Sequence, residues 1–268
     1  MSRRRLDLEL LRRGLAESRE QAQRLIVEGR VTVGGAPADK AARQVGSDEA
    51  VVVTGPPPRY VGRGGRKLER ALEAFDLDVS GVRALDAGAS TGGFTDCLLQ
   101  HGAATVLAVD VGRAQLHERL RADPRVVSLE QTDVRALDVE EHGGPFDLVV
   151  ADLSFISLRS VLGALLEGCR DGGDLMLLVK PQFEAGRSAV SKGRGVVRDP
   201  AVWREVLEET VGAVLSHAAA IMACVPSPLT GADGNVELLL HVRKGVVQPA
   251  PPPLDLDAVV AAACAVAG

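Results

Sequence analysis

The chain has 268 residues, of which 46% are hydrophobic, and a formal net charge of −5 at pH 7. This length suits one large domain and one small domain, each with a buried core. No stretch approaches the roughly 18 apolar residues of a membrane helix, and no apolar segment of the secretory type follows the basic start, so we expect a cytoplasmic protein. The wide cysteine spacing suggests neither a zinc site nor a disulfide framework; the cysteines are Cys97, Cys169, Cys224 and Cys264.

Charge is distributed unevenly along the chain. Residues 1–70 hold 15 Lys and Arg against 9 Asp and Glu, a net +6, which leaves −11 for the remainder. Such an excess of cations favours a polyanionic partner for the N-terminal part, because phosphate contacts need Lys and Arg. A charged surface that merely keeps the protein in solution explains the same excess.

The N-terminal part shows the pattern of a small α+β unit. Leucines spaced through residues 6–15 predict a first helix, and Ser18 is the predicted N-cap of a second helix that ends near Gly29. The apolar triplets at 31–33 and 51–53 predict short strands. The unit is too small to be an enzyme.

Proline-rich stretches divide the rest of the chain. A glycine and three prolines at 55–58 cannot continue a helix or a central strand, so they indicate a stiff linker. We therefore predict a small basic domain over 1–54, a linker over 55–62, a main domain over 63–246 and a C-terminal tail over 247–268.

Several short motifs mark the N-terminal unit. They are RLD at 5–7, SR at 18–19, Ala22, Ile26, GRVTV at 29–33 and Lys40. With these motifs the unit resembles the RNA-binding module first described in a small-subunit ribosomal protein, although Gly34 stands where that module usually carries Asn or Asp. The resemblance implies that the helices present basic side chains to structured RNA. The candidates are Arg5, Arg12, Arg19, Arg24 and Arg30.

Apolar runs alternate with helical stretches in the main domain. The runs lie near 82–87, 105–109, 126–129, 147–151, 174–179, 220–225 and 236–241. Seven strands with helices between them predict an α/β fold with a Rossmann-like, mostly parallel sheet. Asp199 followed by Pro200 predicts a helix start between the fifth and sixth strands.

The first of these strands leads into the sequence DAGASTGGFT at 86–95, a strand, glycine loop and helix. Its Gly-x-x-x-Gly-Gly spacing differs from the Gly-x-Gly-x-x-Gly of dinucleotide sites and favours S-adenosylmethionine. A glycine-rich turn in an unrelated α/β domain is the alternative interpretation. Asp110 ends the next strand, where an acid commonly binds a ribose, and Asp133 follows the third strand. The candidate cofactor residues are Asp86, Gly88, Ser90, Thr91, Gly92, Gly93, Phe94, Asp110 and Asp133.

Polar residues at strand ends are the candidates for chemistry, because ligands of such sheets lie at the carboxyl edge. Asp152 and Lys180 each follow a strand, Glu237 lies in the last strand, and Lys67 follows a glycine-rich turn. Each residue taken singly is compatible with a surface charge. Together they suit methyl transfer to a ribose hydroxyl, since a hydroxyl is a poor nucleophile that needs a base. In this hypothesis Lys180 takes the proton, Lys67 lowers its pKa, and the two carboxylates orient both amines.

Methylation of a nucleobase fits the sequence less well. Asp152 begins the sequence DLSF, whereas methylation of the adenine amino group typically uses an Asp/Asn-Pro-Pro-Tyr/Phe turn at this point. No cysteine stands in the Pro-Cys or Thr-Cys setting of pyrimidine carbon methylation. The sequence therefore favours a hydroxyl acceptor.

Motifs in the same order run through most of the chain. They are RGGRKL at 63–68, DAGASTGGFT at 86–95, ADLSFIS at 151–157, VKPQFE at 179–184 and GNVE at 234–237. With them, residues 3–243 resemble the TlyA family, FtsJ-like ribosomal RNA 2′-O-methyltransferases long labelled haemolysins. The resemblance implies a catalytic tetrad of Lys67, Asp152, Lys180 and Glu237. It also implies S-adenosylmethionine as cofactor, and cytidines of ribosomal RNA or ribosomal subunits as the substrate.

The glycine-rich segment between Gly186 and Val197 carries three further cations and no acid, Arg187, Lys192 and Arg194. We predict that it contacts RNA, although an ordinary exposed loop has the same composition. Two other functions stay open at this point. One is a membrane-lytic role, which needs a membrane-active segment that the sequence does not display. The other is a non-catalytic RNA-binding protein with a vestigial methyltransferase domain.

Overall fold

The computed structural model describes residues 3–16, 19–56, 58–186, 193, 195–231 and 233–267. Ser18, Arg187, Lys192 and Arg194, which the sequence singled out, lie outside the described residues. The chain divides into two compact units, Met1–Arg59 and Tyr60–Gly268. None of the helices in the described part combines the length and apolar character that a membrane crossing requires.

The first unit packs two helices against short antiparallel strands. The helices are α1 (Leu6–Arg12) and α2 (Arg19–Val27), and the strands are β1 (Arg4–Arg5), β2 (Val31–Val33), β3 (Ala36–Pro37), β4 (Gln44–Val45) and β5 (Val51–Val53). Strand β2 lies between β3 and β5, while β1 pairs with β4. Leu6, Leu10 and Ile26 are fully buried between these elements. The predicted small α+β unit is confirmed.

The second unit is built on one seven-stranded sheet. Its strands are β6 (Arg83–Ala87), β7 (Thr105–Asp110), β8 (Val126–Glu130), β9 (Phe146–Ala151), β10 (Cys169–Val179), β11 (Ala219–Pro226) and β12 (Leu238–Lys244). The order across the sheet is β11-β12-β10-β9-β6-β7-β8. Strands β10, β9, β6, β7 and β8 pair in parallel, whereas β12 runs antiparallel to both of its neighbours. The predicted Rossmann-like, mostly parallel sheet is confirmed.

Helices cover both faces of this sheet. They are α3 (Gly64–Phe75), α4 (Gly93–Gln100), α5 (Glu118–Arg121), α6 (Leu162–Gly168), α7 (Pro181–Glu184), α8 (Pro200–Ser216) and α9 (Leu256–Ala267). The Asp199 side chain accepts a hydrogen bond from the Ala201 amide at 2.9 Å, so the predicted N-cap of α8 is confirmed. Helix α9 contacts α8 and β11.

Two hydrophobic cores flank the sheet because alternate residues of a strand point to opposite faces. In β6, Leu85 and Ala87 belong to one core and Ala84 to the other. Three of the four cysteines, Cys97, Cys169 and Cys224, are buried in these cores, whereas Cys264 on α9 is exposed.

Candidate active site

The glycine loop between β6 and α4 passes close to other backbone segments. Gly88 has a φ of +83°, and a Cβ at this position would come within 2.9 Å of the Asp152 carbonyl oxygen. Gly93 begins α4, and a Cβ there would lie 2.9 Å from the Gly65 amide nitrogen in α3. These glycines let the loop lie against the segment that follows β9 and against α3. Gly92 has a φ of +95° and faces the Leu120 side chain.

Asp110, the last residue of β7, joins the glycine loop to the next strand. Its carboxylate accepts hydrogen bonds from the Ser90 amide at 2.8 Å and from the Gly112 amide at 2.6 Å. A carboxylate has about four lone-pair directions, so two remain that no described residue occupies and that a ligand hydroxyl can use. Ser90 and Thr91 are exposed next to it.

Asp86 is fully buried in β6 below this loop. Its Oδ2 accepts a hydrogen bond from the Thr95 hydroxyl at 2.6 Å, while its Oδ1 has no partner among the described residues. Burial raises the pKa of Asp86 to about 7, and the Thr95 hydrogen bond opposes this only in part. Asp86 therefore shapes the loop from inside the core.

The remaining cofactor candidates have contacts of their own. Phe94 is buried in the core between the sheet and α3, so its ring supports the loop from below. Asp133 caps the short turn that follows β8, and the ion pair with the Arg135 guanidinium lowers the pKa of Asp133 to about 2. Glu130, which the sequence did not indicate, accepts the Ala114 amide at 2.6 Å and so holds the loop after β7.

The four tetrad candidates meet at the carboxyl edge of the sheet. Asp152 directly follows β9, and Lys180 directly follows β10. Glu237 directly precedes β12, which runs antiparallel, so the start of β12 lies beside the ends of its parallel neighbours. Lys67 reaches the same edge from the first turn of α3. The Lys67, Lys180 and Glu237 side chains are each less than 8% exposed.

These four groups form a continuous chain of alternating charges. Lys67 Nζ lies 2.7 Å from Glu237 Oε2 and 3.2 Å from Asp152 Oδ2. Lys180 Nζ lies 2.6 Å from Asp152 Oδ1. Asp152 therefore bridges the two lysines. Burial works to raise the pKa of Asp152, but the two neighbouring ammonium groups outweigh it and hold this pKa below its usual range.

Lys180 has a further partner that the sequence did not assign. Its Nζ donates a hydrogen bond to the Ser154 hydroxyl oxygen at 2.9 Å, and it lies 5.8 Å from the centre of the Phe183 ring. The signal was present in the DLSF motif, two residues after Asp152. Lys67 contacts two carboxylates, whereas Lys180 contacts one carboxylate and one neutral hydroxyl.

The described residues fit S-adenosylmethionine at this edge. The Asp110 carboxylate suits a ribose hydroxyl as its ligand, whereas it would repel a pyrophosphate. Exposed Ser90 and Thr91 beside Asp110 leave room for a ligand above the glycine loop.

The basic side chains of the first unit differ in whether they form hydrogen bonds and ion pairs within the unit. Asp7 is fully buried, and its Oδ2 receives hydrogen bonds from Arg5 at 2.9 Å and Arg19 at 3.0 Å. The Arg5 guanidinium, helped by Arg19, keeps the pKa of Asp7 far below its usual range despite burial. Arg12 donates to buried Glu9 in the same way, at 2.8 Å. These three arginines stabilise their own fold.

Arg30 also bonds within the unit, because its Nε donates to the Thr54 carbonyl oxygen at 2.8 Å and its Nη2 to that of Pro56. By contrast, the side chains of Arg24 and Lys40 form no hydrogen bond or ion pair with any residue in the described part of the chain. Lys40 is exposed and Arg24 is half-buried.

Two family models match the chain. Residues 60–244 match the FtsJ-like methyltransferase model, and residues 4–51 match the S4 domain model. The S4 match covers the small α+β unit, and the methyltransferase match covers the sheet with the glycine loop and all four tetrad candidates.

Individual relatives share this organisation. The 16S/23S rRNA (cytidine-2′-O)-methyltransferase TlyA of Mycobacterium tuberculosis is 51% identical over 91% of this chain and 91% of its own length. Hemolysin A of Brachyspira hyodysenteriae is 38% identical over 88% of this chain and 98% of its own. A solved hemolysin-named structure from Streptococcus thermophilus superimposes with a TM-score of 0.78 at 40% identity, covering 98% of this chain and 96% of that one. The chain therefore belongs to the FtsJ-like methyltransferases, within the TlyA family that joins this domain to an N-terminal S4 domain.

Proposed function

We propose that this protein transfers the methyl group of S-adenosylmethionine to the 2′-hydroxyl of cytidine in ribosomal RNA. The observation that carries the proposal is the buried chain of Glu237, Lys67, Asp152 and Lys180 beside the glycine loop. The name of the relative from Mycobacterium tuberculosis supports the same reaction and the same acceptor.

The reaction needs a base because a ribose hydroxyl is almost fully protonated at neutral pH. When bound, S-adenosylmethionine supplies an electrophilic methyl carbon on a sulfonium, whose sulfur leaves with the electron pair of the broken bond. The 2′-oxygen forms the new bond to that carbon, and its proton passes to Lys180 Nζ.

Lys180 suits the role of base better than Lys67 for an electrostatic reason. Lys67 lies between two carboxylates, and each of them favours the charged ammonium. Lys180 faces one carboxylate and the neutral hydroxyl of Ser154, so one anion fewer opposes its action as a base. Asp152 orients Lys180, and Glu237 together with Lys67 holds Asp152.

Cofactor binding falls to the glycine loop and the neighbouring strand ends. Asp110 and the exposed Ser90 and Thr91 are the proposed direct contacts. Gly88 and Gly92, which both have a positive φ, let the backbone of the loop pass close to the cofactor. Asp86 and Phe94 act from the core, and Asp133 is the weakest member of the set because Arg135 occupies its carboxylate.

Ribosomal RNA, in one or both subunits, is the proposed partner. The S4 domain supplies the first contacts, through Arg24 and Lys40, whose side chains bond to none of the described residues. Arg187, Lys192 and Arg194 follow the catalytic strand β10 in sequence and remain proposed RNA contacts.

The test is methyl transfer from labelled S-adenosylmethionine to unmodified small and large ribosomal subunits. We expect label in RNA at a cytidine whose 3′ phosphodiester resists alkaline hydrolysis, because that cleavage needs a free 2′-hydroxyl. Lys180→Ala should lower the single-turnover rate by ~100 to 10,000-fold with nearly unchanged cofactor and RNA affinity. The parental rate should rise with pH, as expected of a transfer that depends on a general base. Label on a base, or a Lys180→Ala variant with the parental rate, would contradict the proposal.

A further inference from the structure

The loop that follows β9 contacts Lys180, and the role derived for it below rests on the proposed ribose methylation. Directly after Asp152, the chain continues through Leu153 and Ser154 to Phe155, whose φ of +65° lies in the left-handed region. For a bulky side chain this conformation is uncommon. It turns the chain immediately after Ser154, and the Ser154 hydroxyl lies within 2.9 Å of Lys180 Nζ.

The far end of the same loop is fixed by a buried carboxylate. Glu184 accepts hydrogen bonds from the Ser157 hydroxyl at 2.6 Å and from the Leu158 amide at 2.5 Å. Glu184 is 6% exposed and belongs to α7, the short helix that begins directly after Lys180. One helix therefore fixes both the lysine and the loop that carries its hydroxyl partner.

The chemistry of the contact suits a base. An ammonium group rotates freely about its last carbon–nitrogen bond unless acceptors fix its hydrogens. Asp152 provides one acceptor, at 2.6 Å, and Ser154 provides a second in a different direction. Because the hydroxyl is neutral, it fixes the direction of the amine without the added negative charge that would hold the proton on it.

We propose that Ser154 is a positioning residue for Lys180. Its hydroxyl and the Asp152 carboxylate occupy two of the three directions around Nζ, so the third direction, where the lone pair forms on deprotonation, points to the acceptor hydroxyl. Ser154 acts through Lys180 and contributes to the rate of transfer at saturation.

The kinetic test compares Ser154→Ala, Ser154→Thr and the control Ser160→Ala. Ser160 is an exposed serine a few residues away whose hydroxyl donates to the Ser157 carbonyl oxygen at 2.6 Å. With saturating cofactor and ribosomal RNA, Ser154→Ala should lower the single-turnover rate roughly tenfold, as expected for one hydrogen bond to a charged group. The half-saturating concentrations should not change. Ser154→Thr, which keeps the hydroxyl, should recover most of the rate, and Ser160→Ala should match the parent.

Two kinetic outcomes would overturn the inference. One is a Ser154→Ala variant with the parental rate. The other is a variant with an unchanged rate at saturation but a higher half-saturating RNA concentration, which would make Ser154 an RNA contact.

A second measurement does not depend on methyl transfer. In protein labelled with ¹⁵N-lysine, the Lys180 ammonium signal is assigned by its loss in Lys180→Arg, and its hydrogen exchange rate is compared between the parent and Ser154→Ala. Faster exchange in Ser154→Ala supports the inference, and an unchanged rate refutes it. Absence of methyl transfer by the parent would refute the proposed reaction, while the exchange rates would still decide whether Ser154 fixes the amine.

Discussion

At the scale of single residues, the candidate site is a balanced set of charges. Glu237, Lys67, Asp152 and Lys180 alternate in sign, and their formal charges cancel. Because three of these side chains are almost completely buried, each relies on its neighbours in place of water. Removal of one group leaves an uncompensated charge inside the protein.

We expect Lys67→Met to destabilise the protein by about 3 to 5 kcal/mol, because it leaves Glu237 buried without its cation. Adding Glu237→Gln to this variant should restore part of the loss, since the unpaired charge disappears. Urea unfolding measures the free energy of all variants. Lys244→Met, at a more exposed lysine, should cost only about 1 kcal/mol or less. Strictly additive losses in the double variant would show that Lys67 and Glu237 do not depend on each other.

Asp86 predicts a dependence of stability on pH. Its folded pKa of about 7 lies above the unfolded value of ~3.9, so the folded state holds the proton more tightly. The tighter proton binding adds to the free energy of unfolding in full below pH ~4, and this contribution is lost as the pH rises through about 7. The contribution amounts to roughly 4 kcal/mol. Asp86→Asn removes the titration.

The measurement is the difference in unfolding free energy between the parent and Asp86→Asn at several pH values. We expect the parent to lose stability relative to the variant between pH 4 and 7. A constant difference across this range would mean that Asp86 is ionised throughout.

Sequence reasoning could identify the tetrad candidates because strand ends meet at one edge of a parallel sheet. It could not predict that Asp152 bridges both lysines, since the order of ion pairs depends on tertiary distances. Ser154 was part of a recognised motif, yet its contact with Lys180 depends on the backbone turn at Phe155. Sequence reasoning also could not predict which arginines of the first unit form ion pairs, because the burial of Asp7 and Glu9 is seen only in the folded structure.

At the scale of elements, the direction of β12 decides whether the site is complete. A parallel strand in this position would carry Glu237 to the opposite edge of the sheet. The apolar runs predicted the strands well, but no local pattern distinguishes a parallel from an antiparallel strand when both faces are covered. The antiparallel pairing of β12 with β10 brings Glu237 to Lys67.

The contact between α3 and α4 gives a test at this scale. We expect Gly93→Ala to destabilise the protein and weaken cofactor binding, because its Cβ would meet the Gly65 backbone at 2.9 Å. Gly212→Ala is the matched control in α8, where a Cβ meets nothing within 4 Å. This control should stabilise by up to about 1 kcal/mol through helix propensity. Thermal unfolding and cofactor titration report both effects. Equal stabilisation by both alanines would show that α3 and α4 can move apart without a loss of stability.

At the scale of the whole molecule, the two units differ in charge. The first unit, residues 1–59, holds 11 Lys and Arg against 8 Asp and Glu, a net +3, whereas the second unit holds 20 against 28, a net −8. We therefore expect association with a polyanion to depend on particular cations of the S4 domain more than on net charge.

We expect the double variant Arg24→Gln, Lys40→Gln to reduce the salt dependence of RNA binding by roughly two in slope, about one for each lost phosphate contact. Its unfolding should match that of the parent, because neither side chain bonds to the described part of the protein. Arg125→Gln is the control, since Arg125 is exposed and pairs with Asp123 in the second unit. RNA binding measured at several salt concentrations gives the slope. An unchanged slope in the double variant would show that other residues, and not Arg24 and Lys40, contact the RNA.

The placement of the cysteines offers a way to follow docking without altering the sequence. Burial raises the pKa of Cys169 and Cys224 to about 12, and Cys97 is also buried, so these thiols are protected from alkylation in the folded state. A maleimide fluorophore should therefore attach to exposed Cys264 on α9. The native chain thus carries one attachment point for a dye. Energy transfer from this dye to a labelled ribosomal subunit can measure the rate of binding separately from the rate of methyl transfer.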